Sequence, residues 1–124
     1  MKFGNITVKQ IMKTRLDVYG VDETIAFHDL LNNIKDYNYS RFPVFKEDLD
    51  SIVGMIHTKD VLPHLQKEEG FDWHTLIRPA FFVHEQKMIE DLLKEFQAKR
   101  IHFAIVVDEF GGTSGIITLE DILE

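Results

Sequence analysis

Gly54-Met55-Ile56-His57-Thr58-Lys59-Asp60-Val61-Leu62 returns later in the chain as Gly115-Ile116-Ile117-Thr118-Leu119-Glu120-Asp121-Ile122-Leu123. The spacing is constant, since 115 − 54 and 121 − 60 both give 61. The same shift carries Arg41-Phe42-Pro43-Val44-Phe45 onto His102-Phe103-Ala104-Ile105-Val106, a second apolar run. Self-similarity at one period in a chain of 124 residues marks a tandem duplication. Differences between the copies are then the places to look for function.

Each copy carries the same pattern of elements. An amphipathic turn at Val8 to Met12 leads into an extended stretch around Asp17-Val18-Tyr19. The spacing of Ile25, Phe27, Leu30, Leu31 and Ile34 predicts a helix over Thr24 to Lys35, capped by Asp22 or Thr24. Strands follow at Phe42 to Phe45 and Ile52 to Ile56, joined by the acidic loop Glu47-Asp48-Leu49-Asp50, and a closing helix starts near Thr58. The second copy repeats this with a lead-in at Thr75 to Ile77, a strand at Phe81 to Val83 and a helix at Met88 to Gln97. Paired strands at Phe103 to Val107 and Ser114 to Ile117 come next, and Leu119 onward is helical. The copies part at Glu68-Glu69-Gly70, giving repeats at residues 1–68 and 69–124. A β-α-β-β-α unit leaves apolar faces uncovered, and two such units can cover each other as stacked repeats do. The expected architecture is therefore α+β (α/β), two repeats packed with pseudo-twofold symmetry and clefts between the copies.

Composition narrows the function classes. Hydrophobic residues at 44% and charged residues at 28% are ordinary for a globular domain. The absence of cysteine excludes disulfides and thiolate metal sites. The longest wholly apolar stretch, Phe103 to Val107, falls far short of the roughly 18 residues that span a bilayer, and no export leader is expected from the opening residues. A net charge of −7 without a basic stripe argues against nucleic acid as a partner. An anion would rely on local cations: Lys13, Arg15 and Arg41 near the first copy, Lys99 and Arg100 near the second.

Thr118-Leu119-Glu120-Asp121 sits where a strand gives way to a helix. Free N–H groups there attract anions, and an aspartate one turn in presents two acceptors suited to ribose hydroxyls. The same spacing also reads as a capping box with Asp in place of Glu. In the first copy His57 replaces the threonine while Asp60 is kept. Asp60 is then either a ribose acid in a weaker second site or an exposed acid in a first helical turn. Tyr39-Ser40-Arg41-Phe42-Pro43-Val44 supplies a cation that can grip phosphate bidentately, or a plain surface charge. Pro43, lacking an N–H, belongs at a strand start or edge. His102 opens a strand and is either a base-stacking group or a half-buried strand histidine. Phe27, Phe45, Phe81, Phe96 and Phe103 follow the apolar pattern of a core. Asp108-Glu109-Phe110-Gly111-Gly112-Thr113-Ser114-Gly115 lacks the lysine and spacing of a phosphate-binding P-loop and reads as a hairpin turn. His57 and His64 are seven apart, the wrong spacing for two ligands on one helical face, so neither a metal nor general-base chemistry is expected.

The duplicated Ser-Arg-Phe-Pro-Val … Gly-Met-Ile-His-Thr-Lys-Asp and Phe-Ala-Ile-Val-Val-Asp-Glu … Gly-Ile-Ile-Thr-Leu-Glu-Asp-Ile resemble a pair of CBS motifs, the Bateman module. The stretch Val107 to Gly115 is similar to the CorC/HlyC hemolysin-like group, related to the cyclin-M magnesium transporters. The resemblance covers roughly Val8 to Glu124. It implies a non-enzymatic regulatory module that binds AMP, ADP or ATP, with or without Mg, on a CorC-like magnesium and cobalt efflux or hemolysin-like protein. It assigns nucleotide contacts to Thr118, Asp121, Tyr39, Ser40, Arg41, Pro43, Thr14, His102 and Phe103, with a weaker second site at Asp60 and His57. It further implies a homodimer and a membrane domain elsewhere in the parent protein, placing the module on the cytoplasmic face. The alternative is a ligand-free structural dimerisation module of the same protein.

Overall fold

A computed structural model of the chain describes residues 5–67 and 70–123. The expected break between repeats, at Glu68-Glu69, lies outside the described residues. The chain opens with α1 (Val8–Ile11), β1 (Lys13–Thr14) and a 3-10 turn at Arg15–Asp17. Then come β2 (Val21–Asp22), α2 (Phe27–Tyr37), β3 (Arg41–Lys46), β4 (Asp48–His57) and α3 (Thr58–Val61). After 3-10 turns at Leu62–His64 and Trp73–Leu76 follow β5 (Phe82–His84), α4 (Ile89–Lys99), β6 (Phe103–Val107), β7 (Thr113–Thr118) and α5 (Leu119–Leu123). The order β-α-β-β-α therefore occurs twice, in a mixed α/β fold.

The compact units are not cut where the repeats are. Met1–Val18 joins Phe81–Glu124 in one unit, and Tyr19–Ala80 forms the other. In the first of these, the sheet order is β1-β7-β6-β5, with β5 parallel to β6 and the rest antiparallel. In the other it is β2-β3-β4, again with a parallel first pair. Each repeat's lead-in thus pairs with the last strand of the other repeat. Lys13 and Thr14 sit opposite Ile116 and Gly115. Arg78 sits opposite Met55, with N–H···O bonds of 2.8 and 2.9 Å running both ways.

The two cores match residue for residue. One is built on Val21, Phe27, Leu30, Phe42, Val44, Ile56, Val61 and Trp73. Its counterparts are Val83, Ile89, Leu92, Ala104, Val106, Ile117, Ile122 and Val8, joined by Phe96. Burying one such side chain is worth about 1.5–3 kcal/mol, so the repeated apolar positions drive the repeated fold. The match also corrects a register. Arg41 lies opposite His57 and Phe103 opposite Thr118, so β3 and β6 correspond at 103 − 41, or 62, rather than 61. Ser40 is therefore the counterpart of His102, and Arg41 that of Phe103. A one-residue slip turns every strand side chain to the opposite face, so the buried rows settle the register.

Other expectations shift for local reasons. Asp22 does not cap α2: its Oδ1 accepts from the N–H (2.9 Å) and hydroxyl (2.8 Å) of Thr24 in a self-contained turn. The helix starts at Phe27, leaving Ile25 in the loop, where its carbonyl accepts from Trp73 Nε1 at 2.7 Å. Asp17, the first residue of the expected extended stretch, ends a 3-10 turn, and the strand comes later, at Val21–Asp22. The acidic loop shrinks to one turn residue, Glu47 at φ 71°, because β4 already begins at Asp48. Pro43 sits inside β3 rather than at its start. It faces Met55, whose backbone N–H and C=O both bond Arg78, while β2 pairs only from Val44 onward. The missing proline N–H therefore interrupts no ladder bond.

Gly54 and Gly115 explain why the repeated stretch begins with glycine. A Cβ on Gly115 would lie 2.0 Å from the Lys13 carbonyl oxygen, and one on Gly54 would lie 2.5 Å from that of Arg78. Gly115→Ala is expected to lower stability by about 1–3 kcal/mol, the usual cost of overpacking, as read from urea midpoints. Gly20→Ala, which meets only the end of the Leu49 side chain at 2.7 Å and the Phe45 ring, should lose less. Equal losses would mean that the lead-in contact is not the constraint.

His74 ties the segment before Arg78 to the loop ahead of α2. Its Nδ1 lies 2.6 Å from Asp72 Oδ1, and its Nε2 meets the Glu23 carbonyl. Only the imidazolium donates through both nitrogens. The Asp72 hydrogen bond, the largest cause, raises its pKa above 6.5. Its stabilisation is thus complete below pH 6.5 and is lost as pH rises through the folded-state value. His74→Ala should destabilise more at about pH 5.5 than at about pH 8.5 in urea titrations. A pH-independent penalty would contradict this arrangement.

Candidate functional site

The β7–α5 junction gathers five of the residues singled out from the sequence. The Thr118 N–H donates to Asp121 Oδ2 at 2.9 Å, and the Asp121 N–H donates to Thr118 Oγ1 at 3.2 Å. This is the reciprocal cap that the spacing suggested. It leaves specific groups over: the Thr118 hydroxyl keeps its proton to donate, and Asp121 Oδ1 has no protein partner among the described residues. Phe103 lies opposite Thr118 on β6 and is buried, as its apolar pattern suggested. The His102 carbonyl accepts from Leu119 N–H at 2.9 Å while the residue itself stays exposed. Thr14, also exposed, lies on β1 opposite Gly115.

The first repeat's residues lie in the Tyr19–Ala80 unit. There the counterpart of the cap is absent. His57 Nδ1 accepts the Lys59 N–H at 3.2 Å, an imidazole standing in for the hydroxyl. Asp60 takes no part in capping. It is one-quarter exposed and receives Arg78 Nε on Oδ2 at 2.6 Å and Nη2 on Oδ1 at 2.8 Å. It sits in the first turn of α3, paired rather than free, and Arg78 holds its carboxyl below the usual range. Arg78 escaped the sequence reading. The spacing of 65 that relates the core pair Trp73 and Val8 also relates Arg78 to Lys13.

Arg41 lies across the strand pair from His57. Partial burial, with the charges of Arg41, Lys59 and Arg78, holds the His57 imidazole below its usual pKa. The Ser40 carbonyl accepts from Thr58 N–H at 2.9 Å, matching His102 and Leu119 in the other repeat. Tyr39 is 40% exposed, its ring 5.7 Å from Phe42 and 6.3 Å from Tyr37, so it forms part of an aromatic shelf.

The glycine-rich stretch is a hairpin turn, as expected. Asp108 Oδ1 accepts the N–H groups of Phe110 (2.8 Å) and Gly112 (3.0 Å), and Gly111 takes φ 82°. Those donors already serve the turn. Among the described residues, no group of three or more His, Asp or Glu can hold a metal ion. Nor is any helix among them long and apolar enough to cross a membrane.

The CBS-domain family model matches this chain twice, over residues 8–67 and 74–124. The magnesium and cobalt efflux protein CorC of Vibrio cholerae serotype O1 is 42% identical over 125 residues, covering 100% of this chain and 43% of that protein. The chain thus spans less than half the length of the curated relatives. A conserved domain of unknown function from Neisseria meningitidis MC58 superposes with a TM-score of 0.93 at 42% identity, over 97% of this chain and 78% of that one. The CBS domain of a bacterial CNNM/CorC family Mg2+ transporter, solved in complex with ATP, superposes with a TM-score of 0.93 at 38% identity. That match covers 98% of this chain and 87% of that one.

The charge environment of His57 can be read directly. Its NMR titration is expected below 6.5, and Arg41→Ala should move it upward by removing a positive charge that disfavours the imidazolium. A titration unchanged by the substitution would show that Arg41 does not act on this imidazole.

Proposed function

The chain belongs to the CBS-domain family, in its CNNM/CorC group, and from that membership we propose that it is the adenine-nucleotide-sensing regulatory module of a CorC-like magnesium and cobalt efflux protein. The observation that carries this reading is the ATP complex of a 38% identical CBS domain sharing the fold over 98% of this chain. The chemistry of the β7–α5 junction supports it. Asp121 Oδ1 offers an acceptor for a ribose hydroxyl, and the Thr118 O–H offers a donor for a phosphate oxygen. His102 and Thr14 border this junction on the same unit, and Phe103 backs it.

For Tyr39, Ser40, Arg41 and Pro43 the assignment rests on family resemblance and side-chain chemistry. A guanidinium suits phosphate, and an aromatic ring suits a purine face. The function is regulatory rather than catalytic: nucleotide occupancy biases the parent protein, whose remaining length carries the membrane domain. The module faces the cytoplasm and pairs with a second copy as a homodimer.

Titration calorimetry with AMP, ADP and ATP, each with and without magnesium, tests the reading. One binding event per chain is expected for at least one nucleotide. Asp121→Ala should weaken it roughly tenfold or more, since a hydrogen bond to a charged group contributes about 1.5–3 kcal/mol. Thr118→Ile should weaken it as well. No heat with any nucleotide would favour the ligand-free dimerisation module instead.

A further inference from the structure

We propose that His74 is a proton-operated clasp: charged, it holds the second lead-in against the loop ahead of α2, and on losing its proton it releases that loop. Proton concentration thereby acts on the Tyr19–Ala80 unit and not on the other, with no ligand involved. A comparison of the repeats carries this. The spacing of 65 that pairs Trp73 with Val8 also pairs Asp72 with Thr7 and His74 with Lys9. Asp72 and Thr7 are both N-caps, and Trp73 and Val8 are both buried. The spacing of 62 that pairs Val21 with Val83 likewise pairs Glu23 with Glu85. Each lead-in therefore sets a basic residue against an acidic one just past the first strand of the unit it joins. In one unit the Lys9 N–H donates to the Glu85 carbonyl at 2.9 Å, and the ammonium lies 3.9 Å from the Glu85 carboxylate. In the other, His74 Nε2 reaches the Glu23 carbonyl.

The two clasps differ in one chemical respect, because histidine is the side chain that ordinarily changes charge between about pH 5 and 8. Three neighbours favour its charged form. Asp72 Oδ1 lies 2.6 Å from Nδ1, the Glu23 carbonyl faces Nε2, and the Trp73 ring stacks on the imidazole at 4.8 Å and 17°. An aromatic face attracts a cation. The charged groups acting on the ring are the Asp72 and Glu23 carboxylates, both negative. A carboxylate and a carbonyl only accept, so a neutral ring turns one bare nitrogen toward an acceptor and one contact breaks. The carboxylate keeps the remaining proton, since the bond to a charged acceptor is the stronger. The contact given up is the one to Glu23, which joins the two segments. The lead-in so released runs on to Arg78, whose N–H bonds the Met55 carbonyl at 2.8 Å.

The test is amide hydrogen exchange of the 124-residue chain, compared at about pH 5.5 and about pH 8.5 after correction for the intrinsic rate. Protection of the Ile77 and Arg78 amides, which donate to the His74 and Met55 carbonyls, should fall roughly tenfold at the higher pH, the scale of one charge-assisted bond. The Lys9 and Met12 amides, bonded to the Glu85 and Val8 carbonyls, should keep their protection. In His74→Gln the fall should vanish, although His28, His57 and His64 remain in the same unit. The His74 side chain is 46% exposed, so this variant should fold. Should it not, the unaltered chain offers a second readout. The Trp73 indole N–H, which donates to the Ile25 carbonyl at 2.7 Å, should shift in NMR spectra in step with the His74 ring. No fall in the unaltered chain, a fall shared by both units, or one that persists in His74→Gln would overturn the inference. So would an indole signal indifferent to the His74 titration.

Discussion

Where each lead-in meets the last strand of a hairpin, the two backbones come too close for any side chain to stand between them. The Lys13 carbonyl oxygen lies 2.0 Å from where a Gly115 Cβ would be, and the Arg78 carbonyl lies 2.5 Å from the equivalent point on Gly54. Both glycines sit inside strands, where they ordinarily weaken a sheet, and a close backbone approach is the recognised reason to keep one there. Here that approach ties each lead-in to the other repeat's hairpin. The compact units consequently differ from the sequence repeats, with Met1–Val18 joining Phe81–Glu124. Neither unit is built from one repeat alone, so the duplicated halves cannot be separated without stripping a strand partner from each.

The same anchor allows the two copies to diverge. A backbone contact needs nothing from the side chain it carries, so Lys13 and Arg78 serve equally well as lead-in residues. What differs is what each side chain does beside the closing helix. Arg78 brings a fork that matches Asp60, and His57 has vacated the reciprocal cap that would otherwise engage it. In the second repeat Thr118 and Asp121 cap each other. The cap uses only part of each side chain's hydrogen-bonding capacity, so capping leaves room for the nucleotide contacts proposed for the same residues. The two readings of Thr118-Leu119-Glu120-Asp121 do not compete.

Much of this was legible in the sequence, because apolar periodicity and fixed spacing are direct imprints of burial. The helices around Leu30 and Leu92, the paired strands and the Gly111-Gly112 turn follow from such patterns. Less legible were features set by contacts distant in sequence. The shift of β3 against β6 from 61 to 62 is decided by cross-strand pairing, which a slip of one residue in an apolar run does not betray. The late start of α2 follows from Asp22 bonding Thr24, a local alternative to capping that the same residues serve equally well. Asp60 looked like a free acid because its partner lies 18 residues further on, in a lead-in assigned to the other repeat.

Pro43 shows how these levels depend on each other. A proline inside a strand would ordinarily break a ladder bond, yet Met55 opposite it directs its N–H and C=O toward Arg78. The lead-in contact therefore makes the proline tolerable, and the glycine at position 54 makes the lead-in contact possible. Arg78 closes the chain of dependence, since the residue whose backbone occupies Met55 is the one whose side chain occupies Asp60. Changing that side chain leaves the backbone pairing in place. The scaffold can therefore change what engages the carboxylate of a closing helix without disturbing the backbone pairing that holds the lead-in.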